Sequence, residues 1–369
     1  MFRWRGSSLV SPALTADTAA DITAATARDA SSDAVLESSR SQAAIPELSI
    51  IIVSFNTREL LRECLTSALH RSAAFTTEFF VVDNASRDGS AEMVEEAFPQ
   101  VHLIRTTENI GFGRANNLAL EQARGRYLVL LNSDAFLEEG TLERAIEHMD
   151  ANPHCAAGGA RLLGRDGSQQ PSARMFHTVL QDAIVLSGLA YRFPHSRFFG
   201  HLDRTWSDLS QPASVDWIPG AFAILRPEAL LRAGRFDPAF FLYYEEVDLC
   251  RRLKNAGYEV CYWPDLIVTH IGGESSRQLK TLEFSSIAAQ VVLWRMRSSL
   301  IYYRKHHGSG AWAARRMEQL LYTASWLRNR WSRNEERRNR ALRFHSLIRL
   351  MNQAWHDTHG GRISPPQPW

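Results

Sequence analysis

Cysteine is scarce and scattered. The four, Cys64, Cys155, Cys250 and Cys261, form no C-x-x-C pair and no Cys/His spacing of the kind a structural zinc site needs. That pattern excludes a disulfide-stapled scaffold and a zinc module, and it suits a reducing, cytoplasmic compartment. Long apolar runs are also missing: no window approaches the roughly 18 consecutive apolar residues that cross a bilayer. The opening stretch MFRWRGSSLVSPALTADTAA places polar residues where a secretory signal needs a continuous apolar core. Net charge is close to absent, +2 over 369 residues, so the whole-chain average points to no polyanionic partner. The average hides an asymmetry. From Val291 onward there are 15 Lys and Arg against 4 Asp and Glu, leaving the preceding chain with an excess of acid. That acidic balance speaks against nucleic-acid binding through the basic tail.

What is present is a strongly patterned middle. Residues 1–46, rich in Ala, Ser, Thr and Asp, have too few large apolar side chains to offset the entropy of ordering and are expected to be a disordered leader. Order begins at LSIIIVSF (48–55), a β-branched run suited to a strand buried on both faces. The helical pattern RELLRECLTSAL follows. FFVVDN, VHLIRT and YLVLLNSD then read as strands separated by the helical segments SAEMVEEAF and RANNLALEQA. This alternation predicts an α/β fold, Rossmann-like, with a mostly parallel central sheet flanked by helices. Residues 160–215 lose the pattern and are expected to form a binding loop or lid. Strand character resumes in VDWIPGAFAIL, FFLYYEEVDLCRRLKNAGYEV reads as a helix ending at Gly257 followed by a strand, and the chain after Gly273 is mainly helical.

Ligands of parallel sheets bind where the strands end, and several chemistry-bearing residues fall there. Asp134, in Asn132-Ser133-Asp134, is placed to hold a hard divalent cation or to cap the next helix. Asp83 is placed to accept hydrogen bonds from a nucleobase or ribose, or to form an Asx turn with Asn84 and the residues after it. ENIGFGRANN completes no dinucleotide fingerprint; its glycines, Gly111 among them, let backbone approach a ligand or form a tight turn, with Arg114 available to a phosphate. Glu245, Glu246 and Asp248 are either a general-base cluster or a solvated acidic first turn paired with Arg251 and Arg252. His270 is either a structural hydrogen-bonding residue or a cation ligand.

The ordered set SIIIVSFN, VVDNASRDGS, ENIGFGRANN, LLNSDA, WIPGAFAILRPEAL, FFLYYEEVDLCRRL and THIGGESS resembles the inverting family 2 glycosyltransferases of the GT-A fold, most closely bacterial rhamnosyltransferase-type members. The resemblance covers about 47–275 and implies a GT-A domain there; beyond it, charge and spacing predict a basic helical region over 276–358 and a flexible tail over 359–369. It implies a divalent cofactor, Mn2+ or Mg2+, held by Asp134 and His270, with Asn132 standing where the D-x-D motif has its first acid. Donor contacts are expected from Asp83, Asn84, Asn109, Gly111, Arg114, Asn132 and Ser133, and acceptor contacts from Trp217 and Gly220. Glu246 matches the family's base, with Glu245 and Asp248 as competitors. The implied donor is dTDP-rhamnose or a UDP- or GDP-sugar, and the acceptor a glycan or polyprenyl-linked hydroxyl. The opposing expectation, prompted by the missing acid, is a catalytically silent nucleotide-sugar-binding or assembly module.

The tail interleaves arginine with Trp294, Trp312, Trp326, Trp331 and Trp355. Two readings apply: helices lying on an anionic membrane surface, here the inner face of the cell membrane, or a helical subdomain packing its tryptophans on the core. A homo-oligomer is compatible with either.

Overall fold

The computed structural model describes residues 45–271 and 286–365. Of the expected leader only residues 45 and 46 fall within these, and residues 272–276 of the last motif lie outside them. The first half alternates as the sequence predicts: β1 (Leu48–Ser54), α1 (Arg58–Arg71), β2 (Thr77–Asp83), α2 (Ser90–Ala97), β3 (His102–Arg105), α3 (Phe112–Leu120) and β4 (Tyr127–Asn132). There follow β5 (Ala135–Leu137), α4 (Thr141–Ala151), β6 (Cys155–Leu163) and β7 (Gln169–Gln170). The irregular region holds α5 (Val179–Leu186), α6 (Leu189–Arg192) and β8 (Ala213–Val215). The chain continues with β9 (Phe222–Leu225), α7 (Pro227–Ala233), α8 (Glu245–Asn255) and β10 (Glu259–His270). It closes on α9 (Ser286–His307), α10 (Gly310–Asn329) and α11 (Glu335–Asp357).

The strands form one sheet in the order β3-β2-β1-β4-β9-β6-β10-β5, with β7 on β6 and β8 on β10. β3, β2, β1 and β4 run parallel. Beyond them the sheet is mixed: β9 is antiparallel to both β4 and β6, β6 and β10 are parallel, and β5 is antiparallel to β10. Ile50, Ile51 and Ile52 of β1 are all fully buried, as a strand covered on both faces requires. Ile50, Ile52, Val81 and Val129 share one layer with Leu61 and Leu65 of α1, Met93 of α2 and Leu142 of α4. Ile51, Val82 and Leu130 share the other with Ala115 of α3, Leu253 of α8, and Met296 and Tyr303 of α9.

The terminal helices therefore belong to the packed body. Asp248 of α8, with a side chain 0% exposed, joins Arg252 at 2.8 Å to Lys305 and His306 of α9, each at 2.7 Å. Ser298 Oγ donates to the Leu242 carbonyl at 2.9 Å. Residues 359–365, inside the expected tail, form a turn in which the Gly361 amide donates to Thr358 Oγ1 at 3.0 Å. A side chain at Gly361 would place its Cβ 2.2 Å from the Leu300 carbonyl oxygen, so this turn sits directly on α9.

Candidate active site

The loops after β1, β2, β3 and β4 emerge along one edge of the sheet, together with the end of β10. Asp83 closes β2 and is 4% exposed. Its Oδ2 accepts the Ser86 amide at 3.0 Å, the Asx turn anticipated from sequence, yet its Oδ1 is buried without a hydrogen-bond partner among the described residues. An unsatisfied buried carboxylate oxygen is costly unless a ligand donor reaches it.

Asn84 is turned inward. Its Nδ2 donates to Asn109 Oδ1 at 2.9 Å and its Oδ1 accepts the Ile110 amide at 2.9 Å, so Asn84 and Asn109 brace the loop before α3. Gly111, at φ +87, lies against the protein itself: an added Cβ would lie 2.3 Å from the Phe241 carbonyl oxygen, and the Phe112 amide donates to that oxygen at 3.0 Å. The close approach is to the protein's own backbone. Arg114 likewise donates its Nε to the Pro238 carbonyl at 2.7 Å, tying α3 to the loop before α8.

β5 and β10 build the second cluster. Their antiparallel register sets Ala135 opposite His270, which brings the adjacent Asp134 Oδ1 to 3.3 Å from His270 Nε2. Asn132 Nδ2 stands 3.4 Å from the same nitrogen. Asp134 is not a helix cap, because α4 is capped by Gly140 with no side-chain bond. Gln170, unforeseen in the sequence, accepts from His270 Nδ1 at 2.8 Å and donates to the His270 carbonyl at 2.7 Å. With the proton fixed on Nδ1, the Nε2 lone pair faces Asp134, the arrangement in which an outer partner orients a ligating imidazole. Ser133 accepts from Thr57 Oγ1 at 2.9 Å and so joins this edge to the end of β1.

Among the described residues no group of three or more His, Cys, Asp or Glu side chains is arranged around a common point. The Asp134–His270 pair nonetheless offers one anionic oxygen and one imidazole nitrogen, a donor set suited to a borderline divalent cation completing its sphere with phosphate oxygens and water.

The third cluster lies at the start of α8. Tyr243 and Tyr244 both adopt left-handed backbone, φ 68 and 67, which costs a non-glycine residue about 1–3 kcal/mol each and is characteristic of functional turns. This turn aims the acids of α8 in three directions. Asp248 is enclosed by its cations: burial pushes its carboxyl up, but the His306 hydrogen bond and the charges of Arg252 and Lys305 hold it at about 2. It is the centre of a buried ion-pair cluster and is not among the residues that border the cavity beside Glu246. Glu245 is 2% exposed, and burial, then the neighbouring charge of Glu246, raises its carboxyl well above the usual range. Glu246 is half-buried; desolvation raises its carboxyl, opposed by its own and the Gly220 backbone amides and by the charges of Arg174 and His177. Its Oε2 has no hydrogen-bond partner among the described residues.

Glu246 borders a cavity of about 250 Å³ whose walls include Trp217, Tyr243, Tyr244, Arg174 and His177, with Arg295 and Glu318 contributed by the terminal helices. Arg174 lies over the Trp217 ring at 4.6 Å and pairs with Asp203, while Trp217 Nε1 donates to the Met175 carbonyl at 2.9 Å. Gly220 sits against Glu246: an added Cβ would be 3.8 Å from Glu246 Oε1 and 3.0 Å from the Phe112 ring. Gln170, Arg174, His177, Arg295 and Glu318 all escape sequence reasoning. The first three lie in the unpatterned 160–215 stretch, where Arg and His amid aromatics in SARMFH are the one available signal.

The family model described as "Glycosyl transferase family 2" matches residues 49–209. Over 238 residues, covering 60% of this chain and 75% of the relative, the chain is 26% identical to the N-acetylglucosaminyl-diphospho-decaprenol L-rhamnosyltransferase of Mycobacterium tuberculosis. It is also 26% identical to the rhamnosyltransferase WbbL of Escherichia coli K12, covering 52% of this chain and 69% of the relative. Among solved structures, the mannosyltransferase PcManGT from Pyrobaculum calidifontis, in complex with GDP-Man and Mn2+, superposes with a TM-score of 0.50 at 17% identity, covering 85% of this chain and 88% of that one. The match to glycosyl transferase family 2 spans residues 49–209, and the chain is a glycosyltransferase of the GT-A fold, related to bacterial rhamnosyltransferase-type enzymes.

Proposed function

We propose that this glycosyltransferase moves a sugar, rhamnose or a related hexose, from a nucleotide-diphosphate donor to a hydroxyl of a glycan or lipid-linked acceptor, with inversion, in cell-surface polysaccharide synthesis. The rhamnosyltransferase relatives support the sugar and the pathway. The observation that carries the chemistry is Glu246: a carboxylate with a free oxygen, made more basic by desolvation, at the edge of an aromatic-walled cavity. Such a group accepts the acceptor hydroxyl's proton as that oxygen attacks the anomeric carbon. One carboxylate base acting in a single displacement inverts the configuration, by the same logic as in inverting glycosidases.

On the donor side, Asp83 Oδ1 is the free acceptor for a nucleobase or ribose donor. Asp134 and His270 are the residues that would hold Mn2+ or Mg2+, and the bound cation supplies charge stabilisation to the departing diphosphate. Asn132, adjoining the pair without a formal charge, contributes a polar contact rather than a second anionic ligand. The aromatic walls formed by Trp217, Tyr243 and Tyr244 suit the apolar faces of an acceptor sugar while excluding water from the transfer. The test is nucleoside-diphosphate release from dTDP-rhamnose, UDP-sugars and GDP-sugars with Mn2+ or Mg2+ and a lipid-linked acceptor. Acceptor-dependent release with inverted product supports the reading. Tight nucleotide-sugar binding with no release would instead identify a silent binding module, the alternative that Asn132 in place of an acid raises.

The terminal helices divide the tryptophans between two surroundings. Trp294 is 2% exposed and packs 4.4 Å from the Phe241 ring. Trp312 and Trp331 are 56% and 74% exposed, and with Leu320 and Leu327 they recur at helical spacing along and just past α10. Arg316 lies 5.7 Å from the Trp312 ring and Arg330 lies 3.6 Å from the Trp331 ring. We propose that this stripe lies on an anionic membrane surface, tryptophan and leucine entering the interface and arginine meeting lipid phosphate. No helix among the described residues is long and apolar enough to cross a membrane. Co-sedimentation with vesicles containing an anionic lipid is expected to fall at high salt and in a Trp312→Ala, Trp331→Ala variant, and equal recovery on neutral vesicles would end the proposal.

A further inference from the structure

The cavity contains a polar chain that the transfer scheme does not yet use. His177 Nδ1 lies 2.7 Å from Asp182 Oδ1, and Tyr303 of α9 donates its hydroxyl to Asp182 Oδ2 at 2.7 Å. All three are largely removed from solvent: the His177 and Asp182 side chains are 15% and 12% exposed, and Tyr303 is 1% exposed. Burial and the charge of Asp182 push the Tyr303 phenol far up, so it remains a hydrogen-bond donor across the working range. Asp182 thus accepts from both neighbours, which keeps an N–H on His177 Nδ1 and leaves Nε2 as the nitrogen offered to a ligand. A carboxylate holding one imidazole nitrogen so that the other meets the substrate is the orienting device of catalytic triads. The ring itself is steadied by Tyr244 at 4.9 Å and Trp217 at 6.0 Å.

We propose that His177, oriented by Asp182 and Tyr303, is a positioning residue of the acceptor site, hydrogen-bonding the acceptor sugar through Nε2 beside the hydroxyl that Glu246 deprotonates. The inference rests on Glu246 being the base. Three features carry it: His177 and Glu246 border the same cavity, the Nδ1 partner is built and buried, and no described group occupies Nε2. His177 also acts on Glu246 directly, since its charge is among the influences that oppose the rise of that carboxyl. The other ionisable groups bordering this space are Arg174 from the loop before α5, Tyr243 and Tyr244 ahead of α8, Arg295 of α9 and Glu318 of α10, with Glu245 next to Glu246 and Tyr303 behind Asp182. Arg174 is paired with Asp203, and Arg295 is held charged by Glu318. The change in charge next to Glu246 in a His177 variant is therefore that of the imidazole. Because Tyr303 belongs to α9, the terminal helices reach the acceptor through this chain.

The experiment is steady-state transfer against pH for His177→Ala, His177→Gln, Asp182→Asn and Tyr303→Phe, with donor and acceptor varied separately. His177→Ala is expected to raise the acceptor KM roughly tenfold, the scale of one lost hydrogen bond, with donor KM unchanged and the acid limb of kcat/KM moved to higher pH. His177→Gln restores part of the acceptor KM but leaves the limb displaced, since an amide hydrogen-bonds without carrying charge. Asp182→Asn behaves like His177→Ala in acceptor KM, and Tyr303→Phe follows in the same direction with a smaller change. An unchanged acceptor KM and acid limb in His177→Ala would overturn the proposal. So would a uniform loss at every pH with no rescue by Gln, which marks a purely structural histidine. Wild-type transfer by Glu246→Gln is a separate failure: it withdraws the base, and this proposal with it.

Discussion

Glu246→Gln is expected to lower turnover by about 10²–10⁴-fold, the usual contribution of a general base, while nucleotide-sugar affinity stays close to wild type. The amide keeps the shape of the side chain and the contact with the Gly220 backbone, but it has no lone pair basic enough to take the hydroxyl proton. Single-turnover transfer and donor titration, measured side by side, check it: loss of chemistry with retained binding is the signature. Asp248→Asn separates the two acids. Asp248 is the centre of a buried ion-pair cluster with Arg252, Lys305 and His306, and breaking such a cluster costs roughly 3–5 kcal/mol. Its variant is expected to unfold at lower temperature, with activity lost in step with folded protein. If Asp248→Asn abolished transfer at full stability and Glu246→Gln did not, the base assignment would be reversed.

The pH dependence follows from the same residue. Glu246 must be ionised to accept a proton, and desolvation raises its carboxyl above the ordinary range. Activity is therefore expected to fall on acidification at a higher pH than a solvated glutamate, near 4.3, would give, and to recover as pH rises through the shifted value. Asp248 is shifted the other way, and its effect is on stability, lost at a lower pH. Its folded-state value is depressed to about 2, so its contribution is present above the unfolded carboxylate range and disappears as pH falls toward 2. An acid limb in activity that precedes any acid unfolding distinguishes the two.

The alternation of apolar runs made the parallel half of the sheet legible, because strands covered on both faces admit little besides β-branched and aromatic residues. The antiparallel half was not: β9 is four residues long and enters after WIPG, and nothing in its spacing reveals that it inserts between β4 and β6. The candidate residues at strand ends are those whose positions a local pattern can give, as with Asp83 and Asp134. Orientation is a tertiary matter. Asn84, Asn109 and Arg114 are the right types in the right loop, yet partners up to 124 residues away take up their hydrogen bonds. Gly111 carries a turn signal that is correct, but the backbone it admits is that of Phe241. The cavity walls and the partner of His270 were least legible, since Gln170, Arg174, His177 and Asp182 lie on short strands, a short helix and turns without period, and Arg295 and Glu318 arrive from helices more than 110 residues further on.

Asp134→Ala is expected to reduce transfer by roughly 10²–10³-fold, the scale on which removing one electrostatic stabiliser of a developing oxyanion acts, and to abolish the response to added Mn2+. Asp134 is the only formally charged member of the trio it forms with His270 and Asn132, so its loss leaves an imidazole and an amide, too weak together to retain a hard cation. Mn2+ binding followed by the paramagnetic signal of the free ion, with and without nucleoside diphosphate, reads this without any turnover. Gln170→Ala grades the effect. It leaves both ligands in place but frees the His270 ring and its tautomer, and a 10–100-fold weaker Mn2+ affinity is the expected cost of losing such an outer partner. A His270→Ala variant is expected to fall between Gln170→Ala and Asp134→Ala, because the carboxylate still recruits the ion but loses the nitrogen that fixes it. The ordering is the informative result: Gln170 acts only through His270, so a Gln170→Ala protein weaker for Mn2+ than His270→Ala would show that the pair does not work as a unit. Transfer by the wild type that persists undiminished after exhaustive chelation would remove the cation from the scheme and return Asp134 and His270 to a structural link between β5 and β10.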